Sequence, residues 1–321
     1  MTRVADRLLI AGVGLIGASL GLALRERGAV GEIVGLGRSA ANLAVAKRRG
    51  AIDRSERDPE RACRDVDLVV VAAPVGTIAP LIATLARTLS PDAVITDAGS
   101  VKGPVVAAVE RVLGKTARRF CGSHPIAGTE RAGADAAERD LLRDRRCILT
   151  PTATTAPATR RRVRALWTAA GMVVEPLPAA RHDHLYALVS HLPQTVATAL
   201  VNAVSDAEPR GRALAYAGGG FRDTTRIAKS PAPMWRDILL ANRESVLAAL
   251  DRFAIACDRL RDAIANGDGA AIEAELTRAA RARRRIDQSP LASPASPAVA
   301  VTRVAAAQRS KTAKTAKRGR A

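Results

Sequence analysis

The stretch LLIAGVGLIGASL, Leu8 to Leu20, decides the architecture. Five residues of continuous apolar character end at Gly12. Gly14 and Gly17 follow, and the chain then runs on in small and aliphatic residues of helical length. A buried strand, a glycine turn and a helix satisfy this pattern. A tight turn requires the first glycine, close approach of a pyrophosphate to the backbone requires the second, and tight helix packing requires the third. The helix N-terminus then faces the diphosphate charge. Leu8–Leu24 is also free of charge and is preceded by Arg3 and Arg7, as in a secretory h-region. The ordered glycines and a length short of a membrane span favour the strand–turn–helix reading. No other stretch is a membrane candidate.

Outward from this unit the alternation continues. Apolar runs recur at Ile33–Gly37, Leu68–Pro74, Ala93–Gly99, Phe120–Gly122 and Cys147–Pro151, with helix-length segments such as Ser39–Arg49 and Ile78–Leu89 between them. Strands this uniformly apolar belong to a parallel sheet covered on both faces, and right-handed crossovers make it a doubly wound α/β fold of the Rossmann type. From Pro178 to Asp287 the period changes to helical, as in Leu239, Val246, Leu250 and Phe253. The chain therefore divides into a dinucleotide-binding domain at 1–175, an all-helical domain at 176–288 and a basic, low-complexity tail at 289–321 that is expected to be disordered.

Composition sets the outer bounds. At 321 residues, two domains are expected. Only 2% of residues are aromatic, so the core is aliphatic, and base-stacking single-strand binders are excluded. The net charge of +19 includes seven basic residues in the tail; subtracting them leaves +12 on the rest. Such an excess suits anionic ligands, and nucleic acid is relevant only through non-specific contact by the tail. Cys63, Cys121, Cys147 and Cys257 form neither a zinc pattern nor a disulfide framework, so a cytoplasmic setting and no metal are expected.

The end of the second predicted strand reports on the cofactor's ribose. An NAD site usually places a carboxylate there; this chain has Gly37, Arg38 and Ser39. Arg38 is suited to pair with a 2′-phosphate, which leans the reading to NADP or to tolerance of both cofactors. Ligands of open α/β sheets bind outside the carboxyl ends of the strands. Ser100, in DAGSVK (Asp97–Lys102), and His124, in SHPIAGTE (Ser123–Glu130), therefore project toward one crevice, with His124 suited to general-base work. SHLPQ (Ser190–Gln194) places polar groups and Pro193 in an apolar helix, as either a ligand-facing or a structural kink. His182 and His184 flank Asp183; without a third ligand at motif spacing they read as a surface helix start. In GGGFRDTTRIAKS (Gly218–Ser230), Arg226 is suited to clamp a carboxylate.

Taken in order, GVGLIGASL, VVVAAPV, TDAGSVK, SHPIAGTE, SHLP and GGGFRDTTRIAKSPAPMWRDI resemble the prephenate/arogenate (cyclohexadienyl) dehydrogenases of tyrosine biosynthesis, over roughly residues 8 to 240. The resemblance implies oxidation of a cyclohexadienol by hydride transfer to NAD or NADP, with loss of the ring carboxylate as carbon dioxide. It implies that His124 is the catalytic base and that Ser100 hydrogen-bonds both that histidine and the substrate hydroxyl. Arg226 would bind a substrate carboxylate, Thr129 and Glu130 would line the pocket mouth, and His191 and Gln194 would contact substrate. Cofactor contacts fall on Gly12, Gly14, Leu15, Ile16 and Gly17, on Arg38 and Ser39, and on Ala73 and Pro74. The helical domain is expected to form a homodimer. Many family members have histidine where this chain has Gln194; a neutral amide favours prephenate mildly over arogenate, which carries an ammonium. Arogenate, or the substrate of another two-domain NAD(P)-dependent reductase, is the alternative.

Overall fold

The structure is a computed structural model that describes residues 3–129 and 131–287. Its N-terminal part is one eight-stranded sheet in the order β3-β2-β1-β4-β5-β6-β7-β8. The strands are β1 (Ala5–Ala11), β2 (Val30–Leu36), β3 (Arg54–Glu56), β4 (Leu68–Val71), β5 (Val94–Asp97), β6 (Phe120–Pro125), β7 (Arg146–Thr150) and β8 (Val173–Pro176). Between them lie α1 (Leu15–Glu26), α2 (Ala40–Arg48), α3 (Pro59–Ala62), α4 (Val75–Leu85), α5 (Gly103–Leu113) and α6 (Pro157–Ala169).

Side chains alternate across the sheet with a period of two. Leu8 and Ile10 join Leu20, Leu24, Leu68, Val70 and Trp167 in one core cluster. Leu9 and Ala11 join Val69, Val71, Ile78, Ile95 and Phe120 in the other. Helices cover both faces, so both sets are buried, and the strands read as unbroken apolar runs. The expected parallel pairing holds except at one place: β7 runs antiparallel to β6. Two short strands carry no apolar signal of their own. β3 is three residues, RSE, and β8 is four half-exposed residues.

The helical region begins with α7 (Ala179–Tyr186), continues through a π-helical turn (Ala187–His191) into α8 (Leu192–Asp206), and adds α9 (Gly219–Thr225), α10 (Ala232–Ala241) and α11 (Arg243–Ala265). Pro193 sits in the first turn of α8. It supplies no N–H to the preceding turn, and the wider π geometry there accommodates that missing donor. Ala187, Val246 and Ala249 form a small core here. Residues 268–321 form a separate unit. Its described part is α12 (Gly269–Asp287), an arginine-rich helix whose first turn is capped by the Asp268 carboxylate accepting from the Ala271 N–H. The tail at 289–321 lies outside the described residues. No helix among the described residues is long and apolar enough to cross a membrane.

Candidate active site

Two constellations sit at the carboxyl ends of the strands. The first surrounds the β1–α1 turn. Gly12 has φ +101°, and a Cβ there would lie 2.2 Å from the Ala72 carbonyl oxygen at the exit of β4. Gly17 would bring a Cβ within 2.2 Å of the Gly12 oxygen. Gly14, the N-cap of α1, would meet nothing within 4 Å. The turn thus uses two glycines to pack and leaves the third as open backbone. The N–H groups of Leu15, Ile16 and Gly17 start the helix, which carries no acid in its first turn. Free N–H groups at a helix start of this kind can hold an anion. Ala73 and Pro74 follow Ala72 directly, so they flank the same turn.

Arg38 and Ser39 leave the end of β2. Arg38 is exposed. The Ser39 hydroxyl caps α2 by accepting from the Asn42 N–H at 3.2 Å. Asn42 then braces the glycine turn: its Nδ2 donates to the Val13 carbonyl at 2.6 Å, and its Oδ1 accepts from the Ala134 N–H at 2.8 Å. No carboxylate ends β2. The acid nearest in register is Glu56, opposite Leu36, and it is paired with Arg54 at 3.1 Å.

The second constellation gathers around β6. His124 Nδ1 lies 2.8 Å from His182 Nε2, and His182 Nδ1 lies 2.8 Å from Asp183 Oδ1. The Asp183 carboxylate also accepts from the Lys102 N–H at 2.8 Å and the Gly103 N–H at 2.7 Å, at the start of α5. Tyr186 stacks on His182 with ring centroids 4.4 Å apart and tilts against His124 at 5.0 Å. Beneath them, Lys102 is fully buried, paired with Asp97, and donates to the Ser123 carbonyl at 2.8 Å. Asp97 further accepts from the Gly99 and Ser123 N–H groups, and the Trp167 indole donates to the Ser123 hydroxyl at 2.8 Å.

Burial first, then the nearby His182, Lys102 and His191, holds His124 well below the usual histidine range. Burial also lowers His182, although Asp183 opposes it. Burial pushes Asp183 up, but the His182 hydrogen bond and the two helix N–H groups outweigh this and hold it below the usual carboxylate range. At neutral pH both rings are therefore uncharged and Asp183 is ionised. His124 is part-buried, and among the described residues nothing hydrogen-bonds its Nε2.

The remaining expected residues are distributed as follows. Ser100 lies between β5 and α5, half-buried, with no side-chain hydrogen bond to His124 among the described residues. Gln194 is 4% exposed in the first turn of α8; among the described residues its Oε1 is buried without a partner and its Nε2 reaches only Thr198 at 3.5 Å. His191 is buried against Asn242 Nδ2 at 3.1 Å and lies edge-on to Trp235. Arg226 is exposed and opens a short 3-10 turn (Arg226–Lys229) that packs on α8. Thr129 is exposed and accepts from the Arg131 N–H. Glu130 lies outside the described residues. No group of three potential metal ligands occurs among the described residues.

One expectation needs correction. His182 and Asp183 are not a surface helix start: they are 0% and 5% exposed and stand behind His124. Their polar sequence HDH masks this, because what buries them is α5 and β6, more than 50 residues away. Asn42 and Lys102 also lacked a sequence signal. Lys102 reads as a solvated charge unless Asp97 is known to face it across the strand end.

Comparison with known proteins gives matches over both the sheet region and the helical region. Residues 20–175 match the family model described as prephenate dehydrogenase, nucleotide-binding domain, and residues 178–278 match prephenate dehydrogenase, dimerization domain. A cyclohexadienyl dehydrogenase of Zymomonas mobilis is 35% identical over 83% of this chain and 91% of its own. A prephenate dehydrogenase of Bacillus subtilis is 32% identical over 84% of this chain and 72% of its own. A crystal structure of prephenate dehydrogenase from Aquifex aeolicus, in complex with hydroxyphenyl propionate and NAD+, superposes with a TM-score of 0.82 at 37% identity, covering 88% of this chain and 98% of that one.

Proposed function

The chain belongs to the prephenate dehydrogenase family, and from that premise we propose how its residues carry the reaction. It is an NAD(P)-dependent dehydrogenase that converts prephenate to 4-hydroxyphenylpyruvate by oxidative decarboxylation, a step of tyrosine biosynthesis. The residues of the glycine turn fit a dinucleotide, which when bound accepts hydride from the substrate's hydroxyl-bearing ring carbon. The chain's own work is to position the ring and to move one proton.

His124 takes the hydroxyl proton on Nε2 as the carbonyl forms. Loss of the ring carboxylate as carbon dioxide leaves its electron pair in the ring, which becomes aromatic. The phenolate oxygen then recovers the proton from His124, so the step consumes no net base. Ser100, beside the same strand ends, steadies the hydroxyl. Arg226 clamps a carboxylate. Gln194 offers its unpaired Oε1 and its amide N–H groups to the substrate side chain, with His191 behind it. Thr129 and Glu130 line the mouth. The observation that carries this reading is the His124 ring: Nδ1 is held by His182 while Nε2 has no partner among the described residues, at the same edge of the sheet as the dinucleotide cradle.

Leu15, Ile16, Ala73 and Pro74 complete the cofactor contacts around Gly12, Gly14 and Gly17. Arg38, with Ser39, favours NADP or acceptance of both cofactors. The helical region, 176–288, forms a homodimer; Val189, Leu240, Leu247, Ile255 and Ile264 are each about half exposed or more and offer apolar surface for it. All four cysteines are free, which suits a cytoplasmic enzyme. His124→Asn is the direct test. Turnover should fall by about 100-fold or more while NAD(P)+ affinity is kept; retained turnover refutes the assignment.

A further inference from the structure

We propose that His182, oriented by Asp183, is a positioning residue that fixes the tautomer of His124, with the proton on Nδ1 and the lone pair on Nε2. This rests on His124 being the base, and it concerns how that base is kept in working form.

The donors around Asp183 and His182 fix the direction of each bond. Asp183 receives three hydrogen bonds: from His182 Nδ1, and from the Lys102 and Gly103 N–H groups at the start of α5. The two backbone groups are donors in every protonation state. A carboxylate facing them at the N-terminus of an 11-residue helix is held ionised and is acceptor-only. His182 Nδ1 must therefore carry its proton. His182 is fully buried, and a neutral ring has one N–H. Its Nε2 is then a lone pair, 2.8 Å from His124 Nδ1. His124 has to donate from Nδ1, and in the neutral ring the lone pair falls to Nε2, the atom with no partner among the described residues.

Each alternative leaves the base inactive. If His182 were protonated, its Nε2–H would donate to His124 Nδ1 and place the His124 proton on Nε2. If His182 offered no acceptor, His124 would revert to the Nε2–H form that neutral imidazoles prefer in water. The same arrangement favours the charged state formed in turnover. An imidazolium at His124 keeps its Nδ1–H bond to His182, and the negative charge of Asp183 stands one ring away. Tyr186 packs against both rings, stacking on His182 and tilting against His124. Around the pair, Lys102 and Asp97 face it from the sheet side, and Tyr186, Asp183 and His191 from the helical side. Lys102 and Asp97 neutralise each other. Because Asp183 lies on α7 and its acceptors bind the start of α5, the tautomer depends on the helical region staying docked on the sheet.

The chain has only four histidines, so nitrogen NMR of the full-length protein labelled at histidine resolves them one by one. The His124 signal is identified by its loss in His124→Asn. At neutral pH His124 and His182 should both be in the Nδ1–H form. In His182→Phe, which keeps the stack on Tyr186 and removes the acceptor, His124 should move to Nε2–H. The kcat should then fall by about 100-fold or more, with KM and NAD+ affinity changed less than about threefold. In His182→Gln the amide oxygen can accept from His124, so kcat should recover to within about tenfold of the parent. That recovery also decides the matter if the phenylalanine variant fails to fold. An Nε2–H tautomer at His124 in the parent protein overturns the proposal. So does near-parent turnover by His182→Phe in a background where His124→Asn is inactive; there the base stands and the positioning role falls. If His124→Asn itself turns over, the base assignment falls first and this proposal falls with it.

Discussion

Gly14→Ala and Gly17→Ala separate binding from folding within a single turn. At Gly17 the new Cβ would lie 2.2 Å from the Gly12 carbonyl oxygen and 2.9 Å from Ile10 Cγ2. The obstructing atom is backbone rather than the end of a flexible side chain, so the turn or α1 must shift. Overpacking of this kind costs about 1–3 kcal/mol, or roughly 1.5–5 °C in Tm for a chain of this size. At Gly14 the same methyl meets nothing within 4 Å, and φ is −88°. Losing glycine's freedom in the unfolded chain stabilises by about 0.4–1 kcal/mol, offset by the poorer capping of alanine, so Tm should shift little. In the proposed cofactor site the methyl would take the space of the diphosphate. Forcing a phosphate oxygen off one helix N–H forfeits a charge-assisted hydrogen bond of about 1.5–3 kcal/mol, which is about 10- to 150-fold in Kd. Calorimetric titration with NAD+ and NADP+, paired with thermal melts, reads both quantities. Parent-like cofactor binding by a well-folded Gly14→Ala protein would refute the cradle geometry. An unchanged Tm for Gly17→Ala would refute the packing argument.

Three further outcomes follow from the same structure. Lys102→Met leaves Asp97 buried without its counter-charge and should cost about 3–5 kcal/mol in chemical denaturation; a loss under about 1 kcal/mol contradicts the pairing. His191 is buried neutral and lowered to about 4, and His124 and His182 are lowered too. The unfolded chain binds these protons near pH 6.5, so stability is full above that value and falls as pH drops toward 4. His191 alone accounts for about 3 kcal/mol, and flat stability between pH 7 and 4.5 contradicts the burial. Arg38→Ala should raise the KM for NADP+ about tenfold and leave that for NAD+ nearly unchanged; equal effects on both would mean Arg38 does not read the 2′-phosphate.

The sheet was legible because its chemistry is local. Apolar runs ending in glycine or proline mark β1, β2, β4 and β5, and GVGLIG marks the turn. β3 and β8 were not legible, since three or four half-exposed residues carry no periodicity and take their order from neighbouring strands. The antiparallel β7 follows from a return after β6 that no residue type announces. His124 and Ser100 were placed at strand ends by the apolar runs that lead into them. His182 and Asp183 were misplaced because a polar HDH triplet looks solvated until α5 is seen to supply two N–H groups to it.

The reaction itself is read by a product-resolved assay of the purified chain with prephenate or arogenate, each with NAD+ or NADP+. One reduced nucleotide and one carbon dioxide should appear per 4-hydroxyphenylpyruvate formed from prephenate. A protein that leaves prephenate untouched, or that turns over arogenate with a large excess in kcat/KM, contradicts the proposed function.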